Sequence, residues 1–303
     1  MQRTLIHAIA AIILLLSFAA LAAADPLDDA SAADNRGDYA TALRLLRPLA
    51  EQGSALAQRA LGDLYEVGHG VAQSDAEAAK WYRLAADQGN AAAAHNLGAL
   101  YSSGRGVAKS DAEALKWYRK AAEKGFAPAE LNLGLMYEDG TGVKQDFAEA
   151  VRWYRKAAEK GFPLAEQTLG RVYDKGLGVP QDFAEATKWL RKSAEHGNVV
   201  AQYHLGIRYS TGKGVEQDYA EALKWLRKAA DRGYAYAQND LGSMYGLGHG
   251  VPQDVVQAYM WFDLAVRAGD LGAIDNRSIA ARQMTPAQIA AAQELAQAWK
   301  PTR

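Results

Sequence analysis

The 303-residue chain contains no cysteine. That excludes disulfides, thiolate metal sites and cysteine nucleophiles, and it leaves packing to hold the fold together. It also excludes a bacterial lipoprotein anchor, because no cysteine follows the N-terminal apolar run. The chain lacks a charge excess as well: 34 Lys and Arg stand against 35 Asp and Glu, a formal net charge of −1. So even a balance, without patterning, gives no reason to expect nucleic acid or anionic lipid as a partner. Histidine is scarce, at six residues, and no His-x-x-x-His pair occurs, so metal-ligand spacing is missing.

What is there begins with an apolar run from about Ile9 to Leu21, preceded by Arg3 and ended by Ala22, Ala23 and Ala24 before Asp25. A charged start, an apolar middle and small residues at the end describe a cleavable secretory signal over residues 1–24, with cleavage after Ala24. The run is too short for a spanning helix, so no stable membrane span is expected after cleavage. Removing Arg3 takes the formal charge to about −2.

The rest of the chain repeats. Leu-Gly recurs at 61–62, 97–98, 133–134, 169–170, 205–206 and 241–242, every spacing being 36. Tyr65, Tyr101, Tyr137, Tyr173, Tyr209 and Tyr245 keep the same phase, as do Trp81, Trp117, Trp153, Trp189, Trp225 and Trp261. Gly-x-Gly-Val loops start at Gly68, Gly104, Gly140, Gly176, Gly212 and Gly248. Fixed-period self-similarity marks a stacked array.

Each unit reads as two helices. In helix A, Ala57, Leu61, Leu64 and Tyr65 form a buried stripe at helical spacing. Gly62 lies inside that helix, at a cost of roughly 1 kcal/mol relative to alanine, so it must serve the close approach of a neighbouring helix. The Gly-x-Gly loop ends helix A through a left-handed residue, and the valine after it is expected to fold back onto the core. Ser74 with Glu77 and Ser110 with Glu113 predict capping boxes opening helix B; four acidic variants begin at Asp146, Asp182, Asp218 and Asp254. Ala78, Trp81 and Ala85 are expected to make the buried face of helix B, which Gly89 ends. On that face the tryptophans are core residues rather than a stacking platform for sugars or bases.

The series A-x-A-x-x-x-L-G-x-x-Y, G-x-G-V and A-x-x-W-x-x-x-A-A-x-x-G resembles the Sel1-like repeat family, relatives of tetratricopeptide repeats. The resemblance covers about Ser54 to Gly269. It implies an all-α, right-handed α/α superhelical solenoid of six 36-residue repeats: 54–89, 90–125, 126–161, 162–197, 198–233 and 234–269. Residues 25–53 and 270–303 are expected to be helical caps. Asp38 to Gly53 aligns with a helix B in which Ala42, Leu45 and Leu49 stand at the Ala, Trp and Ala positions. Asp28 to Arg36 is its expected partner helix. Leu271 to Ala281 resembles a last helix A, and Thr285-Pro286 opens a final helix to about Trp299, with Gln288 as capping-box partner.

The family's usual role is that of an adaptor or scaffold for protein complexes, in bacteria often at the cell envelope. The resemblance therefore implies a periplasmic or secreted protein that binds a protein or peptide, is not an enzyme and uses no cofactor. The rival expectation is a cell-wall binder, of muropeptide or β-lactam, or a weak hydrolase. A cysteine-rich branch of the family is linked to β-lactams, but its repeats carry a cysteine pair that this chain lacks. Ser210-Thr211-Gly212-Lys213 matches Ser-x-x-Lys by coincidence: it runs out of a helix A and has no Ser-Asp-Asn or Lys-Thr-Gly partner. The glycine loops are not followed by Lys-Ser or Lys-Thr, so they are not phosphate cradles.

If the constant positions are structural, specificity lies in the variable ones. Relatives of this fold line a concave groove with helix A. On that analogy Leu131, Leu135, Tyr203 and Ile207 are apolar where solvent would favour polar groups, with Gln167 and Arg171 between them. Apolar anchors around polar groups suit a peptide or helix, and these six residues are the candidate partner surface.

Overall fold

The computed structural model describes residues 25–302; the expected signal segment, 1–24, lies outside them. Among the described residues there are sixteen helices and no strand. They fall into two compact units divided after Lys124. The first holds α1 (Pro26–Asn35), α2 (Tyr39–Glu51), α3 (Ala55–Val67), α4 (Asp75–Asp87), α5 (Ala91–Ser103) and α6 (Asp111–Glu123). The second holds α7 (Ala127–Asp139), α8 (Phe147–Glu159), α9 (Pro163–Lys175), α10 (Phe183–Glu195), α11 (Val199–Thr211), α12 (Tyr219–Asp231), α13 (Ala235–Leu247), α14 (Val255–Arg267), α15 (Ala273–Ala281) and α16 (Pro286–Ala298). Each unit is a run of antiparallel helix pairs, an all-α solenoid segment.

The helix-A glycine is where the two helices of a pair touch. A Cβ on Gly134 would lie 2.5 Å from Tyr154 Cε1 and 3.1 Å from the Ala150 carbonyl oxygen. Carbon atoms pack at about 3.5–4.0 Å, so only glycine fits. Helix A then stops at a left-handed glycine: Gly68 has φ 85° and its N–H donates to the Leu64 carbonyl. Val179 and Val215 pack half-buried against the core, as the valine position requires.

Helix B starts differently from the expected box. Ser74 Oγ does accept the Glu77 N–H at 3.2 Å, but Glu77 reaches Lys80 instead of turning back. The reason is that the Ser74 N–H is already bonded to the Tyr65 carbonyl at 2.8 Å, and Ser110, Asp146, Asp182, Asp218 and Asp254 each make the same bond to their repeat's tyrosine. The reciprocal arm has no donor left to satisfy. Among the described residues only Thr285 and Gln288, free of such a loop, close a full box.

The buried face of helix B is wider than expected by one residue, the one after the tryptophan. Tyr82 is 0% exposed, with Ala78, Ala85 and Ala86 around it, while Trp81 and Trp153 are half-buried. Four of the six tryptophans, Trp117, Trp189, Trp225 and Trp261, are buried in the core as expected, and lysines lie over several of the indoles: Lys156 Nζ sits 3.9 Å from the Trp153 ring centre and Lys192 Nζ 4.3 Å from that of Trp189. In the same way α2 buries Ala42, Leu46 and Ala50, leaving Leu45 and Leu49 partly covered.

Two further bonds recur between neighbouring repeats. Arg47 donates to Tyr65 Oη at 3.1 Å and Arg155 to Tyr173 Oη at 2.7 Å; Arg83, Arg191 and Arg227 do likewise to Tyr101, Tyr209 and Tyr245. The middle residue of the glycine loop clasps the first residue of the preceding helix B. His69 stacks on Tyr39 at 3.8 Å, Arg105 pairs with Asp75, Lys213 lies 4.5 Å from the Phe183 ring, and His249 stacks on Tyr219 at 4.5 Å. In the second unit α14 carries the closing helices, with Asp263 bonded to Arg277 at 2.7 Å and Trp261 edge-on to Trp299.

Candidate functional site

The helix-A positions that vary from repeat to repeat are placed in three different settings. Leu131 is 8% exposed and belongs to the core cluster with Val151 and Tyr154, so its side chain is spent on packing. Leu135, one turn later, is 36% exposed. Tyr203 is half-buried in a tyrosine cluster, its ring 5.2 Å from Tyr234 and 6.3 Å from Tyr236. It also bonds Asp240, whose carboxyl is held above the usual carboxylate range by burial and by the nearby Asp270 charge.

Gln167, Arg171 and Ile207 come together. They line one cavity of about 270 Å³ between α9, α10 and α11, with Gly170, Asp174, Leu190, His204, Arg208, Thr211 and Lys213. Every charged group in its wall has a partner. Arg171 donates to Glu138 at 2.6 Å; Asp174 accepts from Arg208 at 2.7 Å and from Lys213 at 2.9 Å. Burial works against ionisation of Asp174, but the Lys213 and Arg208 hydrogen bonds outweigh it and hold the carboxyl below its ordinary range. Gln167 Oε1 accepts from Asn198 at 2.9 Å.

Arg208 is the residue that sequence reasoning missed. Its equivalents are Leu64, Leu100, Met136, Val172 and Met244, all buried and apolar. Arg208 is 6% exposed at that same core position, and besides Asp174 it reaches Thr187 Oγ1 at 3.2 Å and the Phe183 and Lys213 carbonyls. Thr187 in turn stands where Ala79 and Val151 stand. The signal was available by internal comparison, since both residues break an apolar column.

The equivalent place in the first unit is filled and acidic. Tyr82 Oη lies 2.8 Å from Asp63 Oδ1 and 2.7 Å from Glu66 Oε2. Burial holds the Asp63 carboxyl above the usual range, although Arg59, 2.6 Å from Oδ2, works in the other direction. Buried polar side chains recur one turn earlier. Gln58, Gln202 and Gln238 donate to the carbonyls of Ala50, Ala194 and Ala230 at 3.0, 3.1 and 3.2 Å. Glu130 pairs instead with Lys160 at 2.5 Å and Glu166 with His196 at 2.8 Å.

None of this assembles a nucleophile with a base. Ser210 Oγ donates to the Ile207 carbonyl while Lys213 is held by Asp174, so the Ser-x-x-Lys pair points apart. Among the described residues no three His, Asp or Glu side chains are grouped to hold a metal ion, and no helix is long and apolar enough to cross a membrane. What the arrangement offers is a notch with an apolar floor and a charged rim, which suits binding.

The Sel1 repeat family model matches seven consecutive segments: 35–54, 55–90, 91–126, 127–162, 163–198, 199–234 and 235–270. The first of these is the α2 half-unit. A solved Sel1 repeat protein from Oxalobacter formigenes is 35% identical over 80% of this chain and 97% of its own, with a TM-score of 0.70. A protective antigen of uropathogenic Escherichia coli with an SLR fold is 32% identical over 86% of this chain and 71% of its own, with a TM-score of 0.38. No curated protein matches.

Proposed function

The chain belongs to the Sel1 repeat family, whose members are generally protein–protein interaction scaffolds on a fold that is typically non-catalytic, and from that premise we propose that it is an exported scaffold or adaptor of the bacterial cell envelope. It binds a protein or peptide through the outward face of the A helices in residues 125–302. The observation that carries this reading is the row of apolar side chains left in solvent there. Leu164 is 52% exposed and Tyr236 56%, both at the same helix-A position, and Leu135 lies seven residues further along that helical face. They stand on α7, α9 and α13, and α9 also carries Gln167 and Arg171 of the notch. Exposed apolar side chains repeated along three A helices have the composition of a docking surface.

Residues 25–303 serve as bait in a cross-linked pull-down from envelope extract, beside a variant carrying Leu135→Glu, Leu164→Glu and Tyr236→Glu. All three side chains are exposed, so the variant should keep its circular dichroism. A partner captured by the native bait and lost with the variant is the expected result; equal capture by both removes this surface from the proposal. Export is tested on the full chain: an N-terminus at Asp25 outside the cytoplasm is expected, and a cytoplasmic protein retaining Met1 refutes it.

A further inference from the structure

The notch lies beside Leu190. Two repeats carry leucine after the tryptophan, Leu190 and Leu226, where the other four carry an aromatic; of these two only the Leu190 repeat keeps an acid, Asp174, where Ser210 stands in the other. In two repeats the residue after the tryptophan is a tyrosine that crosses the helix-A glycine and reaches the acid four residues beyond it. Tyr82 crosses Gly62 and bonds Glu66; Tyr154 crosses Gly134 and bonds Glu138, each at 2.7 Å. In the next repeat the same register holds Gly170 and Asp174, but the aromatic is replaced by Leu190. Leucine covers the glycine, with Cγ 2.8 Å from where a Cβ would stand, and ends there. Gly170, Leu190 and Asp174 together line the cavity of about 270 Å³. A cavity of roughly 150 Å³ is already large enough for benzene.

The surrounding exchanges keep this volume open and polar at its far end. Arg208, in a position otherwise apolar, anchors Asp174 through Oδ1, and Lys213 approaches the same carboxylate. An ionised carboxylate offers about four lone-pair sites, so it can still accept a phenolic O–H. Guanidinium and ammonium groups around the slot favour an aromatic face over an aliphatic chain.

We propose that this cavity receives a tyrosine side chain presented by a partner protein, its ring over Gly170 and Leu190 and its hydroxyl on Asp174, in the place that Tyr82 and Tyr154 hold in their own repeats. The proposal rests on the scaffold reading for the source of that side chain, but the cavity itself is tested without any partner.

The probe is p-cresol, the tyrosine side chain alone, titrated into residues 25–303 with methyl-labelled Leu and Ile. Saturable shifts at Leu190 and Ile207 are expected, with a dissociation constant on the order of 1 mM, the scale set by so few atoms. Toluene, lacking the hydroxyl, should bind several-fold more weakly. Leu190→Tyr introduces the side chain found in three other repeats, should fold with an undiminished melting temperature, and should abolish the Ile207 shift. If that variant does not fold, Ile207→Phe fills the slot from its rim and must abolish the Leu190 shift. Absence of saturable shifts, equal affinity for toluene, or unchanged binding in the filled variants each overturns the proposal. Failure here leaves the pull-down result standing, because none of the three residues altered in that bait lines the cavity.

Discussion

Alanine at Gly134 should weaken the protein although alanine is the better helix former. In an exposed helix interior the exchange stabilises by about 1 kcal/mol. At Gly134 the new Cβ would stand 2.5 and 2.7 Å from two carbons of the Tyr154 ring, about 1 Å inside ordinary contact. Tyr154 is fully buried and the Ala150 carbonyl blocks the remaining approach at 3.1 Å, so the two helices must separate. Overpacking of this kind costs about 1–3 kcal/mol. Moving the ring also breaks the Tyr154–Glu138 bond, worth about another 1 kcal/mol. The net expectation is a loss of about 2 kcal/mol. Gly170→Ala should cost less, about 1 kcal/mol, because the facing Leu190 borders a cavity into which it can turn. Gly246→Ala should stabilise by about 0.5 kcal/mol, since its Cβ meets only the Ala258 Cβ at 3.6 Å. Urea unfolding followed by circular dichroism reads all three, with an unchanged slope showing that the midpoint shift is a stability shift. All three sites lie in residues 125–302 and are compared within one unit. A Gly134→Ala protein as stable as the parent, or the same sign for Gly134 and Gly246, refutes the close-approach argument.

Two other outcomes follow from the buried polar groups. Asp63, held above the ordinary carboxylate range by burial, keeps a proton in the folded state that the unfolded chain has released. Stability should therefore fall as pH rises from about 4 through the raised value, and Asp63→Asn should flatten that part of the profile; identical slopes in urea midpoints between pH 4 and 8 would remove Asp63 from the account. Glu166→Gln should be neutral or stabilising within about 0.5 kcal/mol, because Gln202 and Gln238 already bond a helix-B carbonyl from this position and the buried carboxylate disappears. A loss above about 1 kcal/mol by urea melts would show that the His196 pairing matters more.

The sequence by itself determined the repeat, its period, the two helices of each unit and where they end. Those features rest on local chemistry: a left-handed glycine, an N-cap side chain and a 3.6-residue apolar stripe are all visible within a few residues. The need for Gly62 and its equivalents was legible for the same reason, as a local cost without a local benefit. Tertiary structure decided the rest. With Trp81 and Tyr82 adjacent, periodicity allows either to face the core; the glycine groove admits Tyr82 and leaves the indole at the edge. The capping box failed to close because its N–H was bonded by Tyr65, nine residues away across a loop. The cavity depends on Leu190, Asp174 and Arg208, contributed by three helices, and no window along the chain contains all three. Contacts between successive repeats are set by how helices stack, and stacking is where a side chain that reads as variable surface, such as Leu131, becomes core.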